Sequence, residues 1–383
     1  MDSRKRSEKA QKLQTGEFDL LVIGGGMTGA GIALDGASRG LKTALVEMQD
    51  FGAGTSSRST KLIHGGLRYL KQFEIKLVRE VGQERAILYA NAPHIVIPEQ
   101  MILPVMKGGT YGRFGLSIGL WIYDRLAKVR KDERRKMMSA ERALRFEPLM
   151  RKDGLKSAGM YHEYRTDDAR LVMEVMKTAA HQGAVCMNHV KATELIYEAG
   201  KIKGAKVEDR FSGEKYEIRA KVVVNAAGPW VDEVRKLDNS LKGKRLHHTK
   251  GVHLVVPHAR LPLKYAVYFD IFDGRMMFAI PRGRWTYFGT TDTTYENDLV
   301  HPRVTRSDAD YLLKAVNHMF PSVKLTDADV RSSWAGIRPL IHEDGKSPSE
   351  LSRKDEIFYS ETGLVTIAGG KLTGFRKMAE RVT

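Results

Sequence analysis

Three glycines and one acid carry the first chemical signal in this chain. Gly24, Gly26 and Gly29 form a G-x-G-x-x-G pattern, and Glu47 closes the second apolar run beyond it. Each residue type has a task in holding a dinucleotide. Gly24 permits a tight turn, Gly26 lacks the Cβ that would keep a pyrophosphate off the backbone, and Gly29 lets a helix lie close to a strand. Met27 and Thr28 open that helix, where free N–H groups and the helix dipole favour a diphosphate. Glu47 is placed to accept hydrogen bonds from ribose hydroxyls, and its charge repels a 2′-phosphate. A second cluster follows at once. Thr55, Ser56, Ser57, Ser59 and Thr60 crowd hydroxyls and N–H groups into one segment, with Lys61, His64 and Arg68 beside them. Such a segment can line a cofactor's phosphates and ring edge.

These residues need a strand before them and a helix after them. Asp19–Ile23 is an apolar run of strand length, small residues at Gly31, Ala33 and Ala37 continue the helix, and Leu41–Val46 reads as the next strand. Val365–Ala368 repeats this logic, running into Gly369–Gly374 and a helix from Phe375. A third strand-like run, Ala220–Asn225, gives way to Ala226–Trp230, whose small residues suit close approach to a nucleotide. Between them, Val252–Val256, Tyr265–Phe269, Met276–Ile280 and Trp285–Gly289 alternate as strands of a separate mixed or antiparallel sheet. Gln72–Ala90, Ala169–Gln182 and Ser307–Phe320 have helical periodicity, the second capped by Asp167 or Asp168. Ala184–Leu195 reads as one strand. The fold class is α/β (α+β overall), with a Rossmann-like nucleotide-binding domain interleaved with a mixed-sheet substrate domain. The first takes residues 17–80, 165–245 and 355–383; the second takes 81–164 and 246–354. Residues 1–16 read as a flexible basic tail.

With the glycine fingerprint, four further blocks carry a resemblance. They are Thr55–Leu70 (TSSRSTKLIHGGLRYL), Asn225–Trp230 (NAAGPW), Ser333–Leu340 (SWAGIRPL) and Gly369–Thr373 (GGKLT). From Phe18 onward the chain resembles the FAD-dependent glycerol-3-phosphate dehydrogenase family, within the wider amino-acid and sarcosine oxidase-like group. That family usually continues into a C-terminal helical domain, which this sequence does not include. The resemblance implies an FAD lined by Gly24, Gly26, Met27, Thr28, Glu47, Thr55, Ser56, Ser57, Ser59, Lys61, His64, Gly65, Gly66, Val190, Ala227, Gly228, Trp230, Gly370, Lys371, Leu372 and Thr373. The late helix start would face the flavin edge that becomes anionic on reduction.

The implied reaction is oxidation of sn-glycerol 3-phosphate to dihydroxyacetone phosphate, with hydride passing from C2 to flavin N5. A guanidinium suits the dianionic phosphate because it can bind two oxygens at once. Arg338 is the expected phosphate anchor, with Arg68 as a second contact and Tyr69 and Thr290 as hydrogen-bonding partners. Lys371 can stabilise a developing alkoxide. His253, at the start of a strand matching a family block, is the preferred base for the C2 hydroxyl proton, with His64 and Lys371 as competitors. The catalytic set is therefore His253, Lys371 and Arg338. The family passes its electrons to a membrane quinone. The alternative is an amine or amino-acid oxidase of the same FAD fold, using oxygen, in which a carboxylate meets the arginines. A non-catalytic binding protein would hold no flavin.

Composition narrows the classes further. A hydrophobic content of 42% with 28% charged residues describes a globular chain. Cys186 is the single cysteine, which excludes an internal disulfide or a multi-cysteine metal site. No metal site is expected; adjacent His247 and His248 point differently and lack a supporting cluster. Neither a secretory signal nor an apolar run long enough to span a bilayer is apparent. The net charge of +17 suits an anionic substrate or an anionic membrane surface, and no aromatic-interleaved basic motif points to nucleic acid. Gly115–Tyr123, apolar with Trp121 and Tyr123, precedes a basic cluster from Lys128 to Lys136. It reads either as a buried helix and solvated loop or as a lipid contact. The expected location is cytoplasmic, attached peripherally to the inner face of the cell membrane, with a homodimer left open.

Overall fold

The computed structural model describes residues 5–64, 75–126, 129–342 and 355–383. Two sheets organise them. In the first, Glu17–Ile23 is central, and its run Leu20–Ile23 is buried throughout, as a parallel strand covered on both faces requires. It pairs in parallel with Thr43–Val46 on one side and Lys215–Asn225 on the other. Beyond these lie Val185–Met187 and, at the opposite end, Val365–Gly369 and Asp355–Tyr359. Parallel neighbours need a crossover, and the helix Met27–Ser38 supplies the first. Its small residues let it pack against the helices Asp168–His181 and Phe375–Val382. Ala184–Leu195, expected as one strand, is split into Val185–Met187 and Val190–Glu198. The break falls beside His189, whose φ of 53° turns the chain.

The second sheet is chiefly antiparallel. Leu246–Pro257 pairs with Trp285–Gly289 and with Ser332–Ile341. The order continues through Met276–Arg282, Ala266–Asp270, Ile97–Met106 and Leu155–Arg165 to Leu62–Ile63 at the edge. The helix Arg306–Met319 covers this sheet with Leu312, Leu313, Val316 and Met319 inward, at the spacing its sequence predicts.

Two further expectations change. Arg6–Thr15, read as a flexible tail, is a helix. Leu13 is fully buried in the core shared by Phe18, Leu21 and Val190, and Arg6 pairs with Asp209 at 2.8 Å. A single buried leucine in a polar helix leaves almost no periodic signal, which is why composition suggested a tail. The helix Arg113–Leu126 is neither wholly buried nor wholly free. Leu116, Leu120 and Tyr123 face the core, while Phe114, Ile118 and Trp121 are 83%, 57% and 46% exposed. No helix among the described residues is long and apolar enough to cross a membrane.

The chain passes repeatedly between the sheets. Residues 47–61 connect the first sheet to the strand Leu62–Ile63 of the second, and Ser332–Ile341 returns to touch Val365–Gly369 and the turn Thr55–Ser57. The candidate residues lie in these crossings.

Candidate active site

The crossings enclose a cavity of about 610 Å³ between the sheets. Gly26, Met27, Thr28, Ser56 and Gly370–Thr373 line its first-sheet side; Thr60, His253, Thr290 and Arg338 line the other. A smaller cavity of about 260 Å³ holds Gly24, Val190 and Thr193, and Glu47, Ala227 and Trp230 wall both.

The glycine turn has the shape its sequence demands. Gly24 has φ +115°, in the region that favours glycine, and a Cβ there would stand 2.5 Å from Ala226 O. A Cβ on Gly29 would stand 1.9 Å from Gly24 O, so the helix crosses the strand end at backbone contact. At Gly26 the nearest atom to a Cβ would be Ser56 Oγ at 3.1 Å. The helix start there has no side-chain cap and no acid in its first turn. One N–H, that of Met27, donates to Ser56 Oγ at 2.9 Å. An open backbone, an uncapped helix start and the adjoining hydroxyls fit a diphosphate. Glu47 does more than wait for a ribose: its carboxylate accepts from Gly25 N–H at 2.6 Å and Gln49 N–H at 2.8 Å. Burial raises its pKa against the pull of those bonds. Gly369 and Gly370, at φ 75° and 78°, form the second turn, ahead of the uncapped helix Phe375–Val382. Together the two turns make a cradle suited to FAD.

At the far side Arg338 is held in place. Its Nη1 donates to Asp292 Oδ1 and to Thr291 O, both at 3.1 Å, and its Nη2 to Thr290 Oγ1 at 3.0 Å. The adjoining strand carries His253, 2% exposed, stacked on Trp334 at 4.7 Å with its Nε2 3.0 Å from Thr60 Oγ1. Its Nδ1 is buried with no hydrogen-bond partner among the described residues. Burial first, then the Arg338 and Lys61 cations, hold its pKa well below the ordinary histidine value, so the imidazole is neutral.

That shift has a measurable consequence. In the unfolded chain His253 titrates near 6.5. Below that pH the unfolded state binds the proton and the folded state does not. Stability therefore falls as pH falls toward the folded value, by about 1.4 kcal/mol per pH unit from this one group. Denaturant unfolding between pH 7 and 5 is expected to show a shallower loss in His253→Gln than in the parent chain. Parallel curves would contradict the buried, neutral assignment.

The predicted site residues divide clearly. Thr55, Ser56, Ser59, His64, Gly228 and Lys371 line the larger cavity with the residues already placed there. Ser57 and Lys61, expected at the cofactor, line neither cavity. Lys61 Nζ instead reaches Asp168 Oδ1 at 2.6 Å and Ser57 O at 3.1 Å, because a buried carboxylate is the stronger partner. Gly65, Gly66, Arg68 and Tyr69 lie outside the described residues. Sequence reasoning passed over the role of Asp292 at Arg338, the stacking of Trp334 on His253, and Asp168. The doubled acid Asp167–Asp168 was the available signal for the last. Only Asp167 acts as the cap, accepting from Arg170 N–H at 3.1 Å.

Residues 19–376 match the FAD dependent oxidoreductase family. The aerobic glycerol-3-phosphate dehydrogenase of Bacillus subtilis (strain 168) is 62% identical over 365 residues, covering 95% of this chain and 66% of that protein. That of Staphylococcus haemolyticus (strain JCSC1435) is 60% identical over 371 residues, covering 96% and 67%. Among solved structures, the Bacillus halodurans glycerol-3-phosphate dehydrogenase complexed with FAD superposes with a TM-score of 0.82 at 50% identity. That match covers 98% of this chain and 66% of the other. The chain thus spans about two thirds of the length of the relatives it matches.

Proposed function

We propose, because the chain belongs to the FAD dependent oxidoreductase family and within it to the aerobic glycerol-3-phosphate dehydrogenases, that it oxidises sn-glycerol 3-phosphate to dihydroxyacetone phosphate. One observation carries this reading: a fixed guanidinium, Arg338, and a buried neutral imidazole, His253, line the cavity that the two glycine turns enclose. Gly24–Thr28, Glu47, Ser56 and Gly370–Thr373 would hold the FAD. Bound FAD supplies the hydride acceptor for the substrate's C2.

The chain's own residues do the rest. Arg338 grips the phosphate while Asp292 and Thr290 keep the guanidinium plane aimed. Nε2 of His253 takes the C2 hydroxyl proton, since Nδ1 is sealed in protein and Nε2 bonds the cavity-lining Thr60 hydroxyl. The phosphate dianion, by offsetting Arg338, makes that imidazole more basic once substrate is bound. Lys371, on the cavity wall, counters negative charge developing on the substrate oxygen.

Anaerobic glycerol 3-phosphate is expected to bleach the visible flavin absorbance, whereas glycine and sarcosine leave it unchanged. Bleaching by the amino acids instead would replace this reading with the amino-acid oxidase one. In His253→Gln the bleaching rate is expected to fall roughly 10²- to 10⁴-fold with the flavin still bound; a near-parental rate would move the base to His64 or Lys371.

The electrons pass to a membrane quinone, and the chain attaches peripherally to the cytoplasmic face of the membrane. The exposed Phe114, Ile118 and Trp121 support this, beside Arg125, whose guanidinium stands 5.0 Å over the Trp121 ring. Ile118→Glu is expected to weaken sedimentation with phosphatidylglycerol vesicles about tenfold. Undiminished sedimentation would place the contact elsewhere, and peroxide release in place of quinone reduction would make the protein an oxidase.

A further inference from the structure

We propose that Asp168 is a positioning residue for the redox site, its carboxylate pinning the strap Ser57–Lys61 so that the Thr60 hydroxyl meets His253 Nε2. The inference rests on the reading of His253 as the proton acceptor. Asp168 is fully buried at the first turn of the helix Asp168–His181 and lines neither cavity. Helix capping does not require it, since Asp167 fills that role. Its carboxylate is nevertheless saturated. Oδ2 accepts from Ser59 N–H at 3.0 Å and Ser59 Oγ–H at 2.7 Å; Oδ1 accepts from Lys61 Nζ at 2.6 Å and Ala169 N–H at 2.9 Å.

The strap is built around that anchor. Ser59 and Lys61 send their side chains back to Asp168, and Thr60 between them sends its own to His253. Lys61 sits at φ 57°, a conformation side chains rarely adopt, and its N–H donates to Ser59 Oγ at 2.9 Å. From the other side, Trp334 Nε1–H donates to Ser59 O at 3.1 Å and Tyr287 O–H to Thr60 O at 3.0 Å. A backbone so unusual persists where its surroundings over-determine it. Asp168 supplies the buried negative charge, and Lys61 the counter-charge, on the side away from the cavity.

The charged and titratable groups facing His253 are Arg338, Lys61 and, edge-on at 6.3 Å, Tyr287. In Asp168→Asn the Lys61 charge loses its balance and the strap loses its anchor. The FAD-loaded variant is expected to be bleached by glycerol 3-phosphate about tenfold more slowly. Half-saturation should stay within threefold of the parent, and the acid limb of the rate–pH profile should move to lower pH. Adding Lys61→Met to Asp168→Asn is expected to return the acid limb toward its parental position. FAD fluorescence titration of both variants serves as a second readout, with weakened binding expected in Asp168→Asn because Ser56, Ser59 and Thr60 line the cavity. Parental rate, pH profile and FAD affinity in Asp168→Asn would overturn the proposal. If Asp168→Asn does not fold, Thr60→Val decides, since it leaves all four bonds to Asp168 in place: a slowed, pH-shifted rate supports the proposal and a parental one overturns it. If the parent chain is not bleached by glycerol 3-phosphate at all, the functional reading fails instead. The FAD titration then judges the strap alone.

Discussion

Arg338→Gln will lower kcat/KM for glycerol 3-phosphate by roughly 10²- to 10⁴-fold, about 3–5 kcal/mol, the loss typical when one member of a buried charged pair is removed. The guanidinium makes three hydrogen bonds within its own wall and is 20% exposed, so it is already ordered before a phosphate arrives. The variant loses both the phosphate contact and the guanidinium's bond to Asp292. Arg338→Lys is expected to recover little, because a point cation cannot span two phosphate oxygens while keeping Thr290 and Asp292 satisfied. Steady-state kinetics with an artificial electron acceptor checks both. The loss should appear mainly in KM if the grip is uniform and in kcat as well if it tightens at the transition state. A change below threefold would remove Arg338 from the phosphate site.

A comparably large effect is expected at the first glycine turn, where two substitutions separate folding from cofactor binding. A methyl on Gly29 would overlap the Gly24 carbonyl at 1.9 Å, so Gly29→Ala should cost about 3 kcal/mol or more of stability and abolish FAD retention. A methyl on Gly26 meets only the Ser56 side chain, at 3.1 Å, on the wall of the larger cavity, where the proposed function seats the diphosphate. Gly26→Ala should keep stability within about 1 kcal/mol of the parent while weakening FAD binding at least tenfold. Thermal melting of the apoprotein and FAD fluorescence titration give the two numbers independently. Matching stability losses in both variants, or unaltered FAD affinity in Gly26→Ala, would contradict this division.

The contrast between those glycines shows what sequence can carry. Gly24, Gly29 and Glu47 were legible because each answers a local demand, a turn, a close crossing and a strand end, that spacing alone specifies. The alternating runs of the second sheet were legible for the same reason. Less legible were side chains whose partners lie far along the chain. Lys61 looks like a cofactor ligand from its neighbours, yet its partner is Asp168, and nothing in periodicity brings those positions together. Asp292 follows Thr290 in sequence, but its task is set by Arg338 on a different strand. Leu13 was hidden because one apolar residue in a polar helix has no period. Thr60 was visible as a hydroxyl in a polar segment, and only the register of Leu246–Pro257 against Ser332–Ile341 puts His253 and Trp334 against it.

The first sheet joins Glu17–Ile23 to Val365–Gly369 through Lys215–Asn225. Its two glycine turns therefore come from segments made at widely separated times during translation. A nascent polypeptide cannot close the nucleotide cradle until Val365–Thr373 has cleared the ribosome, so the earlier turn must wait, without its counterpart, while the intervening residues are made. Loop closure over that separation is entropically costly and slow. Vitamin supply then enters the balance, since a ligand that binds only the closed form adds stability by mass action.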